Sequence, residues 1–152
     1  MEPRESESSG TPTAGVLTRR VVEWSDTDAS GHYHHSSVIR WVEAAEAELY
    51  ERLGLTLFGT TPRVRYEVDY LDRLWLGDRV DVALTLVTVG RTSIVYEFEV
   101  RRGETLAARG RMICVNSDPD EARAAPWPEE TREKLAAAQD VIPPGRHSDP
   151  NG

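Results

Sequence analysis

Residues 24–35 read WSDTDASGHYHH, which sets two aspartates, a glycine and three of the chain's four histidines side by side. Three chemistries could draw on such a mixture. Zinc takes three or four Cys, His or carboxylate ligands backed by hydrogen-bonding partners. Cys114 and His147 stand far from His32, His34 and His35, and the usual ligand spacings do not occur, so no metal is expected. Nucleophilic or phosphate-cradling loops of the G-x-S-x-G, G-x-x-x-x-G-K-[ST] and G-x-G-x-x-G kinds are missing from the sequence as well. The carboxylates offer more. If Asp26 and Asp28 lie in a loop that runs into a helix, a carbonyl placed there would meet peptide N–H groups at the positive end of the helix dipole, as an oxyanion requires. Gly31 would let backbone approach closely, and His35 at the helix entrance could donate a hydrogen bond. A carboxylate beside them could attack an activated acyl carbon or deprotonate the attacking water. The plainer alternative is that both aspartates only satisfy turn N–H groups.

Such a loop needs a helix after it and a sheet to hold it. The stretch SSVIRWVEAAEAELYERLGL supplies the helix: Val38, Val42, Ala45, Leu49 and Leu53 recur at three- and four-residue steps and mark one face. Ser36 or Ser37 can cap its first turn and Gly54 can close its last. VLTRRVVEW before the loop is rich in β-branched residues and reads as a strand. Four more strands follow. RVRYEVDYL puts Val64, Tyr66, Val68 and Tyr70 on one face; residues 79–89 put Val80, Val82, Leu84 and Leu86 on one face. Gly90 and Arg91 turn into TSIVYEFEVRR, with Ile94, Tyr96, Phe98 and Val100 alternating, and Gly103 turns into TLAARGRMICVN. The order β, α, β, β, β, β with hairpin-length links predicts an α+β fold, its last four strands an antiparallel meander covered by the helix. PWPEETREKLAAA predicts a short terminal helix, with Pro128 near its first turn and Glu129 and Glu130 suiting its N-terminal dipole. The folded domain should span 16–138; residues 1–15 and 139–152, rich in Ser, Pro and Gly, are expected to be disordered.

Composition narrows the function. A net charge of −8 with no Lys/Arg-rich block argues against nucleic-acid binding. No apolar run approaches the roughly 18 residues of a membrane span, no secretory signal opens the chain, and the single cysteine cannot form an internal disulfide. Together these point to a cytoplasmic protein with no membrane partner. One helix on one sheet is a thin core for 152 residues, so pairing of two copies edge to edge is expected.

The stretch EWSDTDASGHYHHSSVIRWVEAAEAELYERLGL, followed by YEVDYLDRLWLGDRV, VGRTSIVYEFEV and ARGRMICVNSD, resembles the hotdog-fold acyl-CoA thioesterases of the 4-hydroxybenzoyl-CoA thioesterase-like branch. Those chains carry an aromatic residue, D-x-D-x-x-G and then a helix opening near an aromatic and a glutamate, matched here by Trp41 and Glu43. The resemblance implies a hotdog fold, an antiparallel sheet wrapped around one long helix, assembled as a homodimer or a dimer of dimers. It implies hydrolysis of an acyl-CoA or acyl-carrier-protein thioester with no cofactor beyond the coenzyme A of the substrate. Asp28 maps to the catalytic carboxylate, as nucleophile or general base; His35 matches a pocket histidine, and Trp24 falls where members often have tyrosine. The backbone of residues 31–35, Gly31 included, would polarise the thioester carbonyl. GHYHH departs from the usual string, which assigns Tyr33 and His34 to substrate choice. Another branch uses a helix glutamate, for which Glu43 and Glu46 rank below Asp28. Arg91, Thr92 and Ser93 are the candidates for the phosphates of coenzyme A, against the reading of Arg91 as an ordinary exposed turn residue. Trp24, Tyr33, Trp41 and Trp75 could line a pocket for aromatic or medium-chain groups, or serve as core aromatics. The competing function is a non-catalytic acyl-binding or assembly module on the same scaffold; the strings associated with the dehydratase and hydratase branches are absent.

Overall fold

A computed structural model of the chain describes residues 15–56 and 60–137. The two tails expected to be disordered, apart from Gly15, and His147 with them, lie outside the described residues. The elements are β1 (Gly15–Val21), a 3-10 turn (Trp24–Asp26), α1 (Ser36–Leu53), β2 (Arg63–Tyr70), β3 (Arg79–Val89), β4 (Ser93–Arg102), β5 (Thr105–Val115), a small ribbon of β6 (Ser117–Asp118) and β7 (Arg123–Ala124), and α2 (Glu129–Ala137). Among the described residues no helix is long and apolar enough to cross a membrane.

The five long strands form one antiparallel sheet in the order β1-β3-β4-β5-β2. This corrects the expected four-strand meander: β3, β4 and β5 follow one another as hairpins, but β2 pairs with β5, Tyr66 opposite Met112 and Tyr70 opposite Ala108. The link over residues 71–78 is too long for a tight hairpin. Its start stays bound to β5, since the Leu71 and Asp72 N–H groups both donate to the Ala107 carbonyl at 2.8 and 3.1 Å. Its end reaches β1's side of the sheet, where Val22 exchanges bonds with Gly77 and Asp78, each at 2.8 Å.

α1 lies against this sheet. Val38, Val42, Ala45 and Leu49 are buried as their spacing predicts, and Trp41 and Tyr50 widen the buried face. Opposite them stand Val80, Val82, Leu84 and Leu86 of β3 and Ile94, Tyr96, Phe98 and Val100 of β4, all buried. Each such aliphatic side chain contributes about 1.5–3 kcal/mol when fully removed from water. β2 behaves differently. Its apolar face is incompletely covered, with Val64 60% and Tyr70 44% exposed. Gly110 of β5 explains how closely β2 approaches: a Cβ there would fall 2.0 Å from the Glu67 carbonyl oxygen.

Two local expectations change. Gly54 closes α1 in the left-handed conformation at φ 67°, but neither Ser36 nor Ser37 caps its start. Ser37 instead donates its hydroxyl to the Asp26 carbonyl at 2.8 Å, and the Ser36 N–H donates to the His34 ring at 3.1 Å. The first strand also ends earlier than its composition suggests, at Val21, and Trp24 enters the 3-10 turn.

Candidate active site

The two aspartates of the opening motif have separate fates. Asp26 is buried, and its carboxylate accepts the Glu23 N–H at 2.8 Å and faces Arg40 at 3.4 Å. Its carbonyl takes the His34 N–H at 2.7 Å besides the Ser37 hydroxyl. Asp26 thus fastens the 3-10 turn to the head of α1. Asp28 is exposed, and its Oδ1 accepts the Ser30 N–H at 2.8 Å and the Ser30 hydroxyl. These two bonds hold its carboxyl below the usual carboxylate range, since they favour the charged form.

Residues 27–33 form a tight loop. The Gly31 N–H donates to the Asp28 carbonyl at 3.0 Å, the Asp28 N–H to the His32 carbonyl at 3.1 Å, and Thr27 bridges Tyr33. Gly31 makes the reversal at φ 86°, a region that disfavours side chains. The Trp75 ring lies over it, its Cζ3 3.5 Å from where a Cβ would stand, an ordinary contact, so the backbone angle rather than space calls for glycine.

Most peptide N–H groups leading into α1 are already engaged: Gly31 with Asp28, Tyr33 with the Leu74 carbonyl at 2.8 Å, His34 with Asp26, Ser36 with the His34 ring and Ser37 with the His34 carbonyl. Among the described residues the His32 and His35 N–H groups meet no acceptor. Donors for an oxyanion within the 31–35 segment therefore reduce to these two.

The side chains sort the remaining candidates. His34 Nδ1 accepts the Ser36 N–H and lies 2.6 Å from the Ser36 hydroxyl. The His34 and His35 rings lie 4.0 Å apart, and the His35 carbonyl accepts the Tyr70 hydroxyl at 2.6 Å. Tyr33 and Trp41 stack in the core at 6.1 Å, and burial pushes the Tyr33 phenol up to about 12. Trp24 and Trp75, by contrast, are 80% and 44% exposed beside the loop. Of the helix glutamates, Glu46 is buried, bonded to Arg63 and to the Tyr50 hydroxyl at 3.1 Å, and desolvation raises its pKa. Glu43 pairs with Arg63 at 3.3 Å. Both are thus tied to Arg63.

Arg91, Thr92 and Ser93 sit together at the β3–β4 turn, away from the loop in sequence but strapped by the C-terminal segment. Trp127 donates its N–H to the Arg91 carbonyl at 3.1 Å and its indole N–H to Ser93 at 3.3 Å; the Asn116 N–H donates to Thr92 at 2.7 Å. α2 adds a residue that sequence reading missed. Arg132 Nη2 donates to the Gly90 carbonyl at 3.4 Å, which brings a second guanidinium to this turn. Among the described residues neither Arg91 nor Arg132 has a carboxylate partner, and no group of three or more His, Cys, Asp or Glu side chains could hold a metal ion.

Known proteins match this chain in sequence and fold. The model of the thioesterase-like superfamily matches residues 22–135. A 1,4-dihydroxy-2-naphthoyl-CoA hydrolase of Synechococcus sp. (strain CC9605) is 30% identical over 122 residues, covering 72% of this chain and 82% of the relative. The structure of a thioesterase complexed with coenzyme A and Zn from Thermus thermophilus superposes with a TM-score of 0.74 at 30% identity, over 83% of this chain and 95% of that one. A 4-hydroxybenzoyl CoA thioesterase mutant complexed with 4-hydroxybenzoyl CoA shares the fold, with a TM-score of 0.71 at 20% identity over 80% of this chain and 98% of that one. The matched span takes in the Asp28 loop, α1 and strands β2 to β5: on its hotdog fold, the chain belongs to the thioesterase-like superfamily.

Proposed function

We propose that the protein hydrolyses an aromatic acyl-CoA thioester, with Asp28 as the reacting carboxylate and the His35 peptide N–H, at the head of α1, as donor to the carbonyl oxygen. The observation that carries this reading is an exposed carboxylate kept ionised by Ser30, followed seven residues on by a helix entrance whose N–H is unspent. In one route an Asp28 oxygen attacks the carbonyl carbon, the C–S bond breaks, the thiolate of coenzyme A leaves and takes a proton from solvent, and water then cleaves the acyl anhydride. In the other, Asp28 accepts the proton of a water whose oxygen makes the same attack. Both need the charged carboxylate. The aromatic preference is supported by the 1,4-dihydroxy-2-naphthoyl-CoA hydrolase relatives and by the exposed indoles of Trp24 and Trp75 flanking the loop. His34 adjoins the same loop and bears on the choice of acyl group, while Tyr33, its ring buried on Trp41, bears on it only through the seating of the loop. Arg91, Thr92 and Ser93, with Arg132 beside them, would hold the phosphates of coenzyme A through charge-assisted bonds.

The working unit is a homodimer joined along β2. This strand is a sheet edge, and its Val64 and Tyr70 are exposed. A second copy would cover both.

Thiol release from a panel of aryl and aliphatic CoA thioesters tests the reading. Aryl thioesters should turn over fastest, and Asp28→Asn should lower turnover at least ~100-fold. Tight binding of these thioesters without thiol release, or an active Asp28→Asn, would overturn it.

A further inference from the structure

Arg102 ends β4, far from Asp28 in sequence, yet its guanidinium holds the 71–78 link from three directions. Nη1 donates to Asp78 Oδ2 at 3.1 Å and to the Arg73 carbonyl at 3.4 Å, and Nη2 to Asp72 Oδ2 at 3.4 Å. The same Asp78 oxygen accepts the Trp75 N–H at 2.8 Å. The turn from Trp75 to Asp78 is closed by a 3.0 Å backbone bond and made by Gly77 at φ 88°. This link in turn grips the Asp28 loop. The Leu74 carbonyl accepts the Tyr33 N–H at 2.8 Å, the Asp72 carbonyl accepts the Tyr33 phenol at 3.2 Å, and the Trp75 indole covers Gly31 and stands edge-on to His32 at 5.7 Å.

We infer that Arg102 is a positioning residue: through Asp72, Asp78 and Trp75 it sets the Asp28 loop against the head of α1. It thereby governs the chemical step more than the affinity for substrate. The inference rests on the assignment of Asp28 above. A guanidinium suits this post because its planar fork reaches two carboxylates and a carbonyl at once, which a lysine ammonium cannot span. Displacement of a reacting group by about 1 Å costs on the order of 100-fold in rate, so a loop held through relays needs each of them.

The test compares kcat and KM for one aryl-CoA thioester. Arg102→Met should lower kcat about 10-fold with KM changed less than about 2-fold, a fraction of the cost of a full displacement. Arg102→Lys should recover part of the loss, and Asp78→Asn should lower kcat through the same relay. Because the two residues act as one unit, the double variant should be no slower than the slower single. Should Arg102→Met not fold, Arg102→Lys and Asp78→Asn carry the comparison, and unchanged kcat in both overturns the role. Effects that multiply, or kcat and KM altered alike, overturn it as well. Asp28→Asn separates the two failures: an active Asp28→Asn removes the assignment of the site and this inference with it, whereas an inactive one beside unaffected Arg102 variants removes the inference alone.

Discussion

Asp28 Oδ1 accepts both the peptide N–H and the hydroxyl of Ser30, so one serine fixes the orientation of the carboxylate and favours its charged form. The sign of the consequence follows. A carboxyl held below its usual range stays ionised as the solution is acidified, and what depends on its charge is lost only as pH falls through the lowered value. Hydrolysis should therefore persist down to the acid edge of the carboxylate range. Ser30→Ala should move the acid limb of kcat/KM upward, toward the ordinary aspartate value near ~3.9. An acid limb at the same pH in both proteins would refute this.

The pair of buried Glu46 and partly exposed Arg63 should show in stability. Burial raises the Glu46 pKa, and Arg63 opposes that rise. With the folded value above the unfolded one, stability declines as pH rises from the unfolded carboxyl range through the folded value. Arg63→Met removes the opposing charge and should cost about 3 kcal/mol near neutrality, the low end for a pair broken from one side, because 29% of the Arg63 side chain still meets water. The loss should shrink in mild acid, where Glu46 takes up a proton, and adding Glu46→Gln should restore most of it. Urea unfolding at two pH values measures both effects.

Arg91 and Arg132 should decide how tightly the nucleotide end of the substrate is held. Arg91→Ala or Arg132→Ala should raise KM for an aryl-CoA thioester about 10-fold, the equivalent of roughly 1.4 kcal/mol, with kcat preserved. The same acyl group on a short pantetheine thiol, which lacks the nucleotide phosphates, should show no change. Equal effects on both donors would place the phosphates elsewhere.

Val64→Arg tests the dimer. A charge on each copy at a strand edge that pairs with itself should repel, so sedimentation should shift from dimer to monomer, with hydrolysis falling in step. A variant that stays dimeric would move the interface off β2.

Much of this architecture can be read from the residues alone. The three-and-four spacing from Val38 to Leu49, Gly54 as the helix stop, and the alternation of Val80 to Leu86 and Ile94 to Val100 all report which side chains leave water, and burial is what the fold selects. Strand partnership is another matter. Alternation in RVRYEVDYL gives a face but no neighbour, so β2 reads as the start of a meander although its link crosses the sheet to β1's side. The Asp28 loop is legible because its residues adjoin in sequence. Arg102, Asp78 and Arg132 are not, since each reaches its place through a backbone path that no local pattern encodes. Capping shows the same limit: serine chemistry suggests Ser36 or Ser37, and a histidine ring takes the Ser36 N–H instead.

The contact of Trp75 with Gly31 makes the pair a one-way constraint on divergence. Residue 75 can shrink, at the expense of the loop's cover, but residue 31 cannot grow in exchange, because its positive φ disfavours any side chain even where space has been cleared. On the proposed assignment of the site, drift in acyl preference would proceed at the indole side while the reversal that presents Asp28 stays locked to the smallest amino acid.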